Sequence, residues 1–209
     1  MRLFVAIYPP ADAIDHLVSF VGDLHVGVAA ASGVNTRLAR PHMLHVTVAF
    51  IGEVDDDRCP GAEAALARAV DRSPVRGRAA PAVASGAAPR TGHAAPAAEL
   101  RLAGGGRFGR GRFTVLWVGL DGDLTPVRDL HRAVRSELKR ERLPYDERPW
   151  KPHLTLARPG DRVDRADLDA DRAALHDYAG PSWPVTELVL VRSRMGPDPA
   201  HTPVATWPL

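Results

Sequence analysis

The chain has 209 residues, 45% of them hydrophobic and 25% charged, enough apolar material to close a core without disulfides or an obligate protein partner. Lys and Arg number 27 against 25 Asp and Glu, a formal charge of +2, which excludes a histone-like polycation. The charge is unevenly spread: residues 74–112 hold seven Arg against the single acid Glu99, so the remainder is net acidic. Lys occurs only at 139 and 151, and this uniform Arg usage makes Arg enrichment weak evidence for nucleic acid. The lone Cys59 cannot form an internal disulfide or build a zinc site by itself, which predicts a reducing compartment, the cytoplasm. The opening MRLFVAIYPP is too short an apolar run for a secretory signal, and no run reaches the roughly 18 apolar residues of a membrane span. No membrane partner is expected.

Residues 2–7 predict a strand that breaks at Pro9-Pro10. Ile14, Leu17, Val18, Val21 and Leu24 recur at helical spacing, so a helix follows from about Ala11. A Gly/Asn loop and Pro41 lead into a β-branched run read as a buried strand over 44–51, ending at Gly52. Asp55 to Asp57 are candidate N-caps for an Ala-rich helix over 61–71. Residues 74–98 hold ten Ala, four Pro and three Gly without periodicity, which predicts a flexible surface insertion. A strand over 99–103, a Gly/Arg turn and a strand over 113–120 come next. Thr125-Pro126 opens a helix to about Arg142, with Val127, Leu130, Val134 and Leu138 on one face. A short strand over 150–158, a helix over 164–178 and a strand over 186–193 follow. PVATWPL closes the chain as a short strand or an extended tail. Helices interspersed with short strands give an α+β or α/β chain with two sheets or lobes, and the halves read as a weak internal repeat.

The informative signal is a duplicated tetrapeptide, His45-Val46-Thr47-Val48 and His153-Leu154-Thr155-Leu156. With nine His and nine Thr in the chain, chance predicts roughly 0.1 such apolar-flanked H-x-T pairs, so two are well outside expectation. On a strand, His and Thr at i and i+2 share one face and the apolar residues between them share the other. Two such strands facing each other would gather two imidazoles and two hydroxyls. That set suits metal-free cleavage of a phosphodiester: one His takes a proton from the attacking oxygen and the other protonates the leaving oxygen. The Thr hydroxyls can donate to the nonbridging oxygens, where the transition state holds its charge.

The HVTV and HLTL pair, the MRLFVAI opening, the WKPHLTLAR context and the closing LVRS…GP…TPVATWPL resemble the 2H phosphoesterase superfamily, specifically its RNA 2′,3′-cyclic phosphodiesterase (2′-5′ RNA ligase) branch. The resemblance covers nearly the whole chain outside 74–98. It implies a single α+β domain over 1–209, bilobal and pseudo-twofold, with two antiparallel-rich sheets flanking a central cleft and helices outside. It also implies hydrolysis of RNA 2′,3′-cyclic phosphate ends, tRNA fragments among them, to a 2′-phosphomonoester without cofactor or metal, with 2′-5′ ligation as the reverse. By the same resemblance His45 would be the proton donor to O3′, His153 the base that activates water, and Thr47 and Thr155 the phosphate grip. The chain departs from the pattern in its long 74–98 insertion and in carrying His201 where a tyrosine is expected. Alternatives are a non-catalytic RNA-end-binding module, and an enzyme acting on a small cyclic nucleotide or an ADP-ribose cyclic phosphate. A metal-dependent phosphodiesterase is disfavoured by the lack of clustered His and carboxylate ligands.

Other residues carry weaker signals. Arg158 would lie on the opposite strand face from Thr155, but the end of the strand can turn it towards the cleft, as a phosphate ligand or a surface ion pair. Lys151 could share the face of His153 unless Pro152 disturbs the alternation. Trp150 and Phe50 are stacking candidates for a terminal base, with core packing the stronger reading. His42 and His45 would point to opposite faces of a strand, which argues against a shared metal. Arg101, Arg107, Arg110 and Arg112 could contact an RNA backbone or be solvated. Acids beside Cys59 make it a poor nucleophile, and His131 on its helix stripe reads as structural.

Overall fold

The computed structural model describes residues 1–73, 75, 98–196 and 198–209. Among these residues, two four-stranded sheets form. The first is ordered β2-β1-β7-β8, from Val46–Glu53, Arg2–Ile7, Glu187–Arg194 and Ala200–Pro208. The second is ordered β5-β4-β3-β6, from Leu154–Ala157, Val115–Gly122, Glu99–Phe108 and Ala179–Pro184. All pairings are antiparallel. The H-x-T strands β2 and β5 occupy matching edge positions, β2 beside β1 and β5 beside β4. The fold is α+β, as expected.

Two of the helices, α1 and α4, are exchanged between the sheets. Helix α1 (Ala11–Asp23) leaves β1 of the first sheet, yet Ile14, Leu17 and Val21 bury against Leu102, Leu116, Val118 and Leu154 of the second. Helix α4 (Leu124–Arg140) leaves β4 of the second sheet, and Val127, Leu130, Val134 and Leu138 bury against Leu3, Val5, Val48 and Ile51 of the first. Helix α3 (Cys59–Asp71) joins α4 over the first sheet, while α2 (His25–Ala31) and α5 (Arg165–Asp177) join α1 over the second. Period-two alternation then leaves the opposite faces of both sheets to the cleft. On the first sheet that face carries Phe4, Ala6, Val189 and Val191.

Several boundaries differ from the sequence expectations. Strand β2 starts at Val46, after a 3₁₀ turn over Pro41–Met43, and continues through Gly52 (φ +93°) to Glu53. Strand β5 is only Leu154–Ala157, so both His45 and His153 stand one residue before their strands. Asp55 to Asp57 cap nothing: a 3₁₀ turn over Asp56–Arg58 intervenes and α3 begins at Cys59. The expected Gly/Arg turn is mostly strand, because β3 runs on to Phe108. Its glycines answer to crowding: a Cβ on Gly105 would lie 2.6 Å from Leu175 Cβ, and one on Gly106 2.4 Å from Trp117 Cζ2. β4 begins at Val115 behind a 3₁₀ turn over Gly111–Phe113. Helix α2 and strand β6 were not expected, and the closing segment is the nine-residue edge strand β8. The expected insertion at 74–98 lies outside the described residues except for Val75 and Ala98, both buried in the first core. Among the described residues, no single helix is long and apolar enough to cross a membrane.

Candidate active site

The two motifs arrive by the same local route. Arg40-Pro41 precedes the first and Arg148-Pro149 the second, each five residues ahead of its histidine, so the repeat extends upstream of H-x-T. In both, the chain turns so that the imidazole Nδ1–H donates to the carbonyl two residues back: His45 to Met43 at 2.7 Å, His153 to Lys151 at 2.7 Å. Holding Nδ1 this way leaves Nε2 as the nitrogen free for chemistry in each ring. Burial then alternates as the pattern predicts, with Val46, Val48, Leu154 and Leu156 buried and the His and Thr side chains partly exposed. Neither Thr47 nor Thr155 spends its hydroxyl on a hydrogen bond among the described residues, so both can donate to a ligand.

The outer edge of each motif strand is bonded by the other half of the chain. Trp150 Nε1–H donates to the carbonyl of Thr47 at 2.9 Å, His131 Nδ1–H to that of Val48 at 2.7 Å, and the Asp146 N–H to that of Phe50 at 2.9 Å. Reciprocally, the Ala39 N–H donates to Leu156, the Arg158 N–H reaches the carbonyls of Thr36 and Arg37, and Leu38 bridges Ala157. These bonds saturate the free edges and fix the placement of both motifs.

The surroundings differ between the two histidines. The His45 ring stacks on Phe4 at 4.7 Å, meets the edge of His201 at 5.0 Å and lies 5.8 Å from Tyr8. Burial lowers its pKa to about 4, partly offset by the Met43 carbonyl, and positive charge on His201 or His153 pushes the same way as burial. The two motif imidazoles are therefore within electrostatic reach of each other, while their rings do not touch. His153 stands edge-on to Phe108 at 4.9 Å, with Trp117 at 6.2 Å. Its pKa is also lowered, first by burial and then by the charges of Lys151 and Arg158, against the Lys151 carbonyl. His201, from β8, has a depressed pKa from burial and nearby His42, and its Nδ1 is buried with no partner among the described residues.

Of the secondary candidates, Arg158 lies just past the end of β5, exposed, with its charge felt at His153. Lys151 does share the histidine's surroundings: its ammonium rests over Trp117 at 4.4 Å and Phe108 at 5.1 Å. Trp150 is part of the core packing, stacked on His131 at 4.9 Å, and Phe50 lies beneath the Arg2 guanidinium. His131 is buried and structural. Burial, Glu63 and Asp56 raise the Cys59 thiol pKa. The arginine patch is not one surface. Arg107 sits opposite Leu116, on the helix side of its sheet, and pairs with Asp169 of α5 at 3.2 Å. Arg101 pairs with Asp121 at 3.7 Å. A recess of about 500 Å³ beside Arg107, Arg110, Arg165 and Leu168 belongs to the gap between the β3–β4 hairpin and α5. Among the described residues, no three His, Cys, Asp or Glu side chains are gathered as metal ligands.

The sequence reading missed the aromatic lining, Phe4, Tyr8, Phe108 and Trp117. Alternation carried the signal: Phe4 lies between the core residues Leu3 and Val5, and Trp117 between Leu116 and Val118.

Residues 15–197 match the model of the 2′-5′ RNA ligase superfamily. The chain belongs to the 2′-5′ RNA ligase superfamily. Within this superfamily it is 28% identical over 207 residues to an RNA 2′,3′-cyclic phosphodiesterase of Geobacillus stearothermophilus, covering 99% of this chain but only 56% of that protein's length. A Thermus thermophilus RNA 2′,3′-cyclic phosphodiesterase is 29% identical, across 97% of this chain and 87% of the relative. Solved structures show the same fold. E. coli LigT without ligand superposes with a TM-score of 0.67 at 24% identity, over 100% of this chain and 96% of that one. A Thermus thermophilus protein, TT0787, superposes at 0.66 with 23% identity, over 100% and 98%.

Proposed function

We propose that the protein is an RNA 2′,3′-cyclic phosphodiesterase, opening terminal cyclic phosphates of RNA to 2′-phosphomonoesters by two-histidine acid–base catalysis. The observation that carries the reading is the duplicated anchoring of His45 and His153, each through Nδ1 to the carbonyl two residues before it. The two curated relatives of that name support the substrate class.

In this reading a cyclic phosphate lies between the two Nε2 atoms. Thr47 and Thr155 donate hydroxyls to the nonbridging oxygens, and Arg158 adds charge from the end of β5. His153 takes a proton from water as its oxygen attacks phosphorus, and His45 gives a proton to the departing O3′. The division of roles follows the family resemblance; the free cleft, where His45 is lowered to about 4, requires the bound anion to raise that histidine before it can act as acid. With a 5′-hydroxyl in place of water, the same attack on phosphorus with departure of O3′ would give a 2′-5′ linkage. The reaction assigns no chemistry to a cofactor, and cytoplasmic residence fits the RNA ends it would meet.

The test is an oligonucleotide ending in 2′,3′-cyclic phosphate, incubated with the protein in excess EDTA. A 2′-phosphate product, with His45→Ala and His153→Ala each slower by about 10² to 10⁴, is the expected result. A 3′-phosphate product would overturn the regiochemistry, and tight salt-sensitive binding without product would favour an end-binding module. Faster turnover of an ADP-ribose cyclic phosphate than of the oligonucleotide would move the substrate class.

A further inference from the structure

Beside His153 the second sheet carries a flat aromatic ledge that the acid–base mechanism does not use. Phe108 and Trp117 stack on one another, centroids 5.1 Å apart with an interplanar angle of 25°. The indole lies across the backbone of Gly106, where any Cβ would come within 2.4 Å of Cζ2. Glycine at that position lets the ring lie flat against the sheet rather than stand off it. Both rings are partly exposed, while the Trp117 Nε1–H is buried with no partner among the described residues. The ammonium of Lys151, an exposed residue, lies over both rings, so on that side they are covered by a flexible, solvated side chain that a ligand can displace. Trp150 and Phe50 offer no comparable surface, since His131 stacks on one and Arg2 covers the other.

Resting on the cyclic-phosphate reading above, we propose that the Phe108–Trp117 ledge is the stacking subsite for the base of the nucleotide whose phosphate is opened. Phe108 lies 4.9 Å from the His153 ring, so a phosphate at that imidazole places the attached base about one ribose away, over the ledge. Stacking of a base on indole and phenyl is stronger than an exposed lysine's hold on the same rings. The arriving base displaces Lys151, and the freed ammonium stays beside the phosphate. Recognition of this kind uses the π-face that every base has and selects bases over a bare sugar phosphate, with purines favoured by their larger area.

The experiment compares adenosine 2′,3′-cyclic phosphate with the cyclic phosphate of methyl riboside, which lacks a base. Wild type prefers the nucleotide through KM. Trp117→Leu and Phe108→Leu, each checked for a native thermal transition, should each lower that preference on the order of tenfold, while Trp117→Phe keeps most of it. An unchanged preference in both leucine variants overturns the ledge. If wild type opens neither substrate, the cyclic-phosphate reading is what has failed. The ledge is then decided by calorimetry with adenosine 2′-phosphate against methyl riboside 2-phosphate, where equal binding of the two overturns it and a preference lost in Trp117→Leu upholds it.

Discussion

Trp150, three residues before the second motif histidine, donates its indole N–H to the carbonyl of Thr47 in the first motif, at 2.9 Å. One half of the repeat thereby holds the motif threonine of the other in place. Trp150→Phe keeps the stack on His131 and removes the donor, leaving a strand-edge carbonyl unpaired. A loss of about 1–3 kcal/mol is expected, read as a lower Tm, together with a fall in kcat/KM on a cyclic-phosphate oligonucleotide. Full retention of both would show that this bond positions nothing.

Thr47 and Thr155 keep free hydroxyls over buried Val46, Val48, Leu154 and Leu156. Thr→Val at either position keeps shape and should leave the Tm within about a degree or two, while removing one donor to the phosphate lowers kcat/KM on the order of 10². Steady-state kinetics beside a thermal melt separates the two effects. Activity within twofold of wild type in both variants would remove the hydroxyls from the mechanism.

Burial holds the folded pKa of His45 at about 4, below its ordinary 6.5. Because the folded state resists protonation, this contribution to stability is complete above about pH 6.5 and is lost as pH falls through 6.5 towards 4, by at most on the order of 3 kcal/mol. Inorganic phosphate should oppose the depression. Ring-proton NMR titration is expected to give a low His45 pKa in phosphate-free buffer and a higher one with phosphate present. A pKa indifferent to phosphate would contradict its assignment as the acid.

Asp171 on α5 is 1% exposed and accepts the backbone N–H groups of His25 and Val26 as well as His25 Nδ1–H. It is the cap that lets α2 begin directly after α1. Asp171→Asn loses the charge and one acceptor, and should cost on the order of 2 kcal/mol. His25 has a raised pKa, led by its hydrogen bond to Asp171, so its share is complete below its ordinary pKa and disappears as pH rises through the raised one. The gap in chemical-denaturation midpoint between wild type and variant should therefore narrow on the alkaline side. A gap independent of pH would mean that only the backbone caps matter.

The motifs and most elements were legible because they are local: H-x-T spacing, apolar periodicity and Pro-marked starts are written within ten or so residues. Helix α2 was not, since its cap comes from Asp171, far along the chain. The glycines of β3 read as a turn because their reason is Trp117 and Leu175, which no local pattern reveals. Arg107 looked available to RNA until Asp169 was placed beside it. The aromatic lining was readable from strand alternation, yet large apolar side chains on a strand look alike whether they face a core or a cleft.

The helix exchange has a consequence for the spacing of the two imidazoles. Because α1 is buried on the second sheet and α4 on the first, pulling the sheets apart would strip each of part of its core. The molecule therefore works less like jaws that close on a substrate than like a caliper locked at assembly. Neither half, cut from the other, would carry the full helical cover of its own sheet, since α1 and α4 would each leave with the wrong half.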